Sequence, residues 1–205
     1  AIKNGLHNLY KHIDNIKNKF GLNVIVALNK YYTDTKEEID FLTQKLKEKQ
    51  IEISIVEGWE KGGEGAIDIA NKIVELANKN SNLNYMYELE DDIKTKILKV
   101  STKIYGAKNV IYSKEAEEQI EKINLFGYSN LPICIAKTQY SFSDDPKNLE
   151  CKNDYSINVK SVELKAGAGF IVVIAGNIMT MPGLPKMPAA ENIDIDKDGN
   201  IIGLF

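Results

Sequence analysis

The chain has 205 residues, enough for one large domain or two small ones. It is 43% hydrophobic and 27% charged with a formal charge of −3, a globular balance that excludes a strongly basic nucleic-acid scaffold. All 26 basic residues are lysine, so any anion must be held by lysine, backbone N–H groups or helix ends, without a guanidinium fork.

In chain order, Leu6, Leu9, Ile13, Ile16 and Phe20 form one helical stripe over residues 3–20. The run NVIVALN (23–29) is short and continuously apolar, which predicts a parallel strand buried on both faces. Next, TDTKEEIDFLTQKLKEK offers Thr33 or Thr35 as an N-cap, acids in the first turn, and Ile39, Leu42 and Leu46 at helical spacing. IEISIVE (51–57) is a second strand, so residues 23–57 read as a βαβ unit with a right-handed crossover. A loop, GWEKGGEG, precedes a helix over about 66–79. A Tyr-rich connector (83–89) leads to a helix striped by Ile93, Ile97, Val100 and Ile104. NVIYS and LPICIAK flank the helix KEAEEQIEKINLF in a second strand–helix–strand passage. Beyond Ser141 the period changes: YSINVKSVELKA alternates like a half-exposed strand, FIVVIA is buried, and IDIDKDGNIIGLF predicts a terminal hairpin around Asp198-Gly199. The fold class is α/β: a mainly parallel sheet with flanking helices, then a β-rich C-terminal segment. The expected division is an α/β region over 1–140 and a strand-rich segment over 141–205.

Cys134, in the apolar run PICIA, reads as a small core residue, and with Cys151 it lacks metal-ligand spacing. No apolar run reaches the roughly 18 residues of a membrane span, and the first residues have no signal-peptide layout, so a cytoplasmic, reducing location is expected. The start at Ala1, already helical in pattern, predicts a piece of a longer chain.

Several motifs bear on chemistry. DIDKDG (194–199) matches the first half of a calcium loop, but its twelfth position is Phe205 where a bidentate Glu is needed, so a hairpin turn is expected. KGGEGA (61–66) either cradles an anion on backbone amides or is a tight connector; it lacks the Gly-Lys-[Ser/Thr] ending of a Walker loop. Asn29, Lys30 and Asp34 follow a strand end, the edge at which open α/β sheets bind ligands. Tyr31 and Trp59 follow the ends of successive strands: they either form a slot for a flat heteroaromatic ligand or pack on loops at the surface. His7 and His12 lie on different helix faces and form no metal pair. The run after FIVVIA, whose single charge is Lys186, is stiffened by Pro182, Pro185 and Pro188 and filled out by methionines, as a rigid brace or a subunit contact.

Taken together, GLHNLYKHIDNIK, VIVALNKYYTDT, WEKGGEGAIDIA, KIYGAKNVIYS, PICIAKTQYSFSDDP and AGAGFIVVIAGNIMTMPGLPKMPAA resemble formate–tetrahydrofolate ligase, as the C-terminal part of that enzyme. The resemblance implies a cytoplasmic, homotetrameric parent that joins formate to tetrahydrofolate using MgATP, by way of formyl phosphate. It implies that folate lies between Tyr31 and Trp59, with Ile55 as an apolar wall. Asn29 and the YSFSDD loop with Ser141 and Phe142, each following a strand end, are expected to border the nucleotide. Tyr31 stands where the family usually has Phe, Asn177 where it usually has an acid, and ECK (150–152) where a Gly-x-Pro turn is common. The family's Walker-type loop and its basic formyl-phosphate ligands have no counterpart in these residues, so the piece alone is expected to be inactive. The other expectation is a non-catalytic assembly module.

Overall fold

A computed structural model describes residues 2–149, 154–178 and 186–203. Cys151, the 150–152 turn and most of the Met/Pro-rich run, 179–185, lie outside the described residues.

The first helix, α1 (Ile2–Asp14), buries Leu6 and Ile13 and ends in a wider π turn over 15–19. β1 (Val26–Asn29) and β2 (Ile53–Val56) pair in parallel, Val26 opposite Ile53 through Asn29 opposite Val56, with α2 (Lys36–Glu48) between them. This is the expected βαβ unit. Thr35 caps α2 in a full capping box: its hydroxyl accepts from Glu38 N–H, and the Glu38 carboxylate accepts from Thr35 N–H. Leu46 seats α2 with no exposed surface. β1 is not buried on both faces as its apolar run predicts, since Ala27 and Asn29 are exposed. It belongs to a two-stranded sheet, and an apolar run cannot report that one face stays open.

After β2 the GWEKGGEG stretch is helical rather than irregular. It forms α3 (Gly58–Lys61) and a 3₁₀ turn over 62–66 that runs into α4 (Ile67–Ala77). α4 meets β2 through Asp68, whose carboxylate accepts the Ser54 hydroxyl at 2.6 Å and pairs with Lys72 at 2.9 Å. Those two donors, the hydroxyl first, hold Asp68 below the usual carboxylate range.

The main core lies on a second sheet. α5 (Ile93–Val100), β3 (Asn109–Tyr112), α6 (Lys114–Leu125), β4 (Ile133–Ala136), β5 (Ser156–Lys165) and β6 (Phe170–Ala175) follow in chain order. The sheet order is β3-β5-β6-β4, with β3 parallel to β5, β5 antiparallel to β6 and β6 parallel to β4. The strand–α6–strand passage is present, but its two strands sit at opposite edges with β5 and β6 between them. The sheet is therefore mixed, and it draws strands from both sides of residue 140. Ile93 and Ile97 of α5, Ile120 and Ile123 of α6, and Ile157 and Ile171 of the sheet form one buried cluster. The buried Lys96 ammonium ties α5 to the lead-in of β4, donating to Ser129 O at 2.7 Å and Leu131 O at 3.1 Å.

Cys134 is exposed, against the expectation of a core residue. β4 is an edge strand whose Ile133 and Ile135 pack on the core, so alternation sends Cys134 to the other face. The terminal hairpin forms as expected from β7 (Asp194–Ile195) and β8 (Ile201–Ile202). Gly199 takes φ +83° in its turn, and the Asp196 carboxylate accepts from Asp198 N–H, Asn200 N–H and the Asn200 amide. The acidic run is thus an Asx-type turn.

Candidate functional site

β1 and β2 end together, and the residues that follow them build the candidate site. Lys30 N–H still pairs with Val56 O at 2.9 Å, which keeps the two chains in register one step past the strands. Tyr31 then enters a tight turn closed by Asp34, whose N–H donates to Tyr31 O and whose carboxylate accepts from Tyr31 N–H at 2.8 Å. Asp34 is therefore a turn residue engaged with backbone. On the other chain, α3 presents Trp59.

The two rings meet. Tyr31 and Trp59 stack with centroids 5.8 Å apart and planes at 21°, each about half exposed, at 50% and 52%. Such a stacked pair is held by dispersion and quadrupole alignment. The indole N–H donates to Lys30 O at 2.7 Å, fixing the orientation of Trp59. Tyr32 adds a third ring, tilted 57° to the indole at 6.2 Å and 84% exposed.

An ionic bridge joins the two segments that carry the rings. One Glu57 oxygen meets Lys30 Nζ at 2.7 Å and the other meets Lys61 Nζ at 2.6 Å. These two ammonium donors, Lys30 first, pull the Glu57 carboxyl down to about 2. Two lysines and one carboxylate leave the group with one net positive charge. Glu57 N–H donates to Gly65 O at 3.1 Å, and a Cβ on Gly65 would lie 2.4 Å from Glu57 O. The glycine-rich run thus serves as a tight connector that folds back on β2.

Ile55 is half exposed on β2 and lies opposite Leu28. Asn29 is the exposed last residue of β1, opposite Val56. Ser141 and Phe142 lie elsewhere, in the turn after β4. Phe142 is buried with its ring on His12, centroids 4.5 Å apart. Burial first, then Lys137, lowers the His12 pKa. The Ser141 hydroxyl bonds to Ser143 and Asp145, while Lys137 Nζ donates to the carbonyls of Thr138, Ser141 and Ser143. Ser141 and Phe142 share a cavity of about 360 Å³ with His12, Tyr105 and Lys137; Asn29 is not among its walls. Asn177 accepts from Lys160 Nζ at 3.3 Å, so its amide fills a place where an acid would form an ion pair.

Sequence reasoning placed Tyr31 and Trp59 together and missed Tyr32 and Glu57. Tyr32 was visible only as the second half of a Tyr-Tyr pair, and Glu57 only as the acid preceding Gly58.

A family model described as formate–tetrahydrofolate ligase matches residues 1–205. The formate–tetrahydrofolate ligase of Campylobacter concisus (strain 13826) is 48% identical over 204 residues, covering 100% of this chain. The chain spans 37% of the length of that relative.

Proposed function

The chain belongs to the formate–tetrahydrofolate ligase family, and from that premise we propose that it is the folate-binding, C-terminal portion of an ATP-dependent ligase. The parent enzyme joins formate to tetrahydrofolate to give 10-formyltetrahydrofolate, in the cytoplasm and as a homotetramer. The observation that carries this reading is the Tyr31–Trp59 stack at the ends of the parallel β1 and β2. A pterin is flat and heteroaromatic, and two ring faces supply dispersion and quadrupole contact over its whole area. Ile55 extends the apolar surface on the same strand pair, and the tyrosine hydroxyl adds a polar edge that phenylalanine lacks.

The chemistry divides between two parts of the polypeptide. Formate and ATP give formyl phosphate and ADP. The folate amine then attacks the formyl carbon, phosphate leaves with the bonding electron pair, and the amine proton is lost. Handling the phosphates requires positioning and charge neutralisation. With no Walker-type ending in KGGEGA, the part of this chain built around Tyr31 and Trp59 is suited to holding the acceptor amine. Among the described residues no group of three or more His, Cys, Asp or Glu gathers to hold a metal ion. Asn29, with Ser141 and Phe142 in their separate cavity, is proposed to border the nucleotide. Among the described residues no helix is long and apolar enough to cross a membrane.

One observation favours a second reading. The rings touch each other directly, so a slot is absent until one of them moves. On this reading the chain is an assembly module whose slot opens only in the complete enzyme. ATP- and formate-dependent synthesis of 10-formyltetrahydrofolate, assayed on this chain and on the full-length enzyme, tests the division of labour. Turnover is expected only from the full-length enzyme, and turnover by the 205-residue chain would overturn the proposal.

A further inference from the structure

The two segments that carry the rings leave the last strand pair, Asn29 opposite Val56, with Lys30 N–H still bonded to Val56 O. One carboxylate also ties them together. Glu57 meets Lys30 of the first chain at 2.7 Å and Lys61 of α3 at 2.6 Å, so both of its oxygens are engaged. Its backbone is fixed as well: Glu57 N–H donates to Gly65 O, and Glu57 O accepts from Glu60 N–H and Lys61 N–H. Trp59, two residues on, closes the ring of contacts by donating its indole N–H to Lys30 O at 2.7 Å. Indole, Lys30, Glu57 and Lys61 therefore form one closed circuit.

Tyr31 sits outside that circuit. It is held through its backbone, by the Asp34 turn, and half of its surface is open. A flat ligand sandwiched between two rings sets their planes about 7 Å apart, twice the ~3.5 Å carbon contact distance. The present centroid separation is 5.8 Å, so one ring must move by more than about 1 Å to admit a ligand. Rotating the Trp59 side chain breaks the indole hydrogen bond to Lys30 O, and moving its backbone disturbs the segment between Glu57 and Lys61. Moving Tyr31 requires a side-chain rotation alone.

We propose that Glu57 is a positioning residue: by bridging Lys30 and Lys61 it holds Trp59 as a fixed jaw, and Tyr31 is the jaw that swings to admit a flat heteroaromatic ligand. The identity of the ligand as a folate rests on the function proposed above; the fixed-jaw geometry does not.

Trp59 is the only tryptophan, so time-resolved fluorescence anisotropy of the whole chain reads its motion without a label or a ligand. Glu57→Gln keeps the side chain's shape and removes its charge from both pairs. It is expected to add a nanosecond component to the indole decay and to raise the Kd for tetrahydrofolate roughly threefold or more, as for loss of exposed ion pairs. Lys61→Met, at a half-exposed position, removes only the α3 half of the bridge and is expected to loosen the indole without unfolding the chain. The double variant Lys30→Met/Glu57→Gln is expected to be no looser than Glu57→Gln alone, because both break one circuit. An unchanged anisotropy decay in folded Glu57→Gln and Lys61→Met overturns the proposal. Failure of the wild-type chain to bind tetrahydrofolate overturns the folate reading instead, and the anisotropy result still decides the role of Glu57.

Discussion

Replacing Gly65 by alanine perturbs the site through a single added carbon. That Cβ would stand 2.4 Å from Glu57 O, 2.5 Å from Glu57 C and 2.9 Å from Gly58 N. All three are backbone atoms, so no side chain can rotate away. Restoring ordinary contact near 3.4 Å moves the Glu57–Gly58 peptide or the 3₁₀ turn by about 1 Å, with the Glu57 N–H to Gly65 O bond lost or bent. Overpacking of this kind costs about 1–3 kcal/mol, which lowers Tm by roughly 2–12 °C for a chain of this size. Because the peptide that moves leads directly into α3, the emission of Trp59 should shift as well. Gly63→Ala is the matched control, since its Cβ meets nothing within 4 Å. Circular dichroism melts and the Trp59 emission maximum of both variants provide the assay. Equal melting and equal emission for Gly65→Ala and the wild type would refute the reasoning that this glycine is required by close backbone approach.

Other outcomes follow from the same contacts. Ile157→Ala, at a position with no exposed surface in the main cluster, should cost about 2–5 kcal/mol by urea unfolding, whereas Val74→Ala, 62% exposed on α4, should stay within about 0.5 kcal/mol. Thr35→Ala removes one side of the capping box and should cost about 1 kcal/mol, read as a lower urea midpoint at unchanged slope. Glu57, held near 2, and Asp68 and Asp196, also held low, bind protons less readily folded than unfolded. Stability present above the unfolded carboxylate range near pH 4 should therefore fall as the pH drops through the folded values, and an acid titration of the unfolding midpoint checks the sign.

Local pattern carried much of the fold. The stripe through Leu6 and Ile13, the Thr35 cap, the βαβ unit over 23–57 and the turn at Asp198-Gly199 are all present where spacing placed them. Each is decided by residues within about four positions of one another or by strand length, which a sequence displays directly. What failed were statements about surroundings. An apolar run does not reveal how many strands lie beside it, so β1 was expected to be buried on both sides and Cys134 to lie in the core. The order β3-β5-β6-β4 depends on long-range pairing that no local period encodes. At the candidate site, strand ends put Tyr31 and Trp59 at one edge of the sheet but left open whether they form a slot or pack on loops. The Glu57 bridge was hidden because it joins residues 27 and 4 positions away on different chain segments, one on each carboxylate oxygen.

The central claim is that the Tyr31–Trp59 pair takes the flat ring of a folate. Isothermal titration calorimetry of tetrahydrofolate into the wild-type chain, Trp59→Ala and Tyr31→Ala tests it most directly. The account predicts saturable binding at one site per wild-type chain, lost in Trp59→Ala and weakened at least about tenfold in Tyr31→Ala, the cost of roughly 1.4 kcal/mol of stacking. Binding that survives unchanged in folded Trp59→Ala would contradict it, as would no binding by the well-folded wild-type chain.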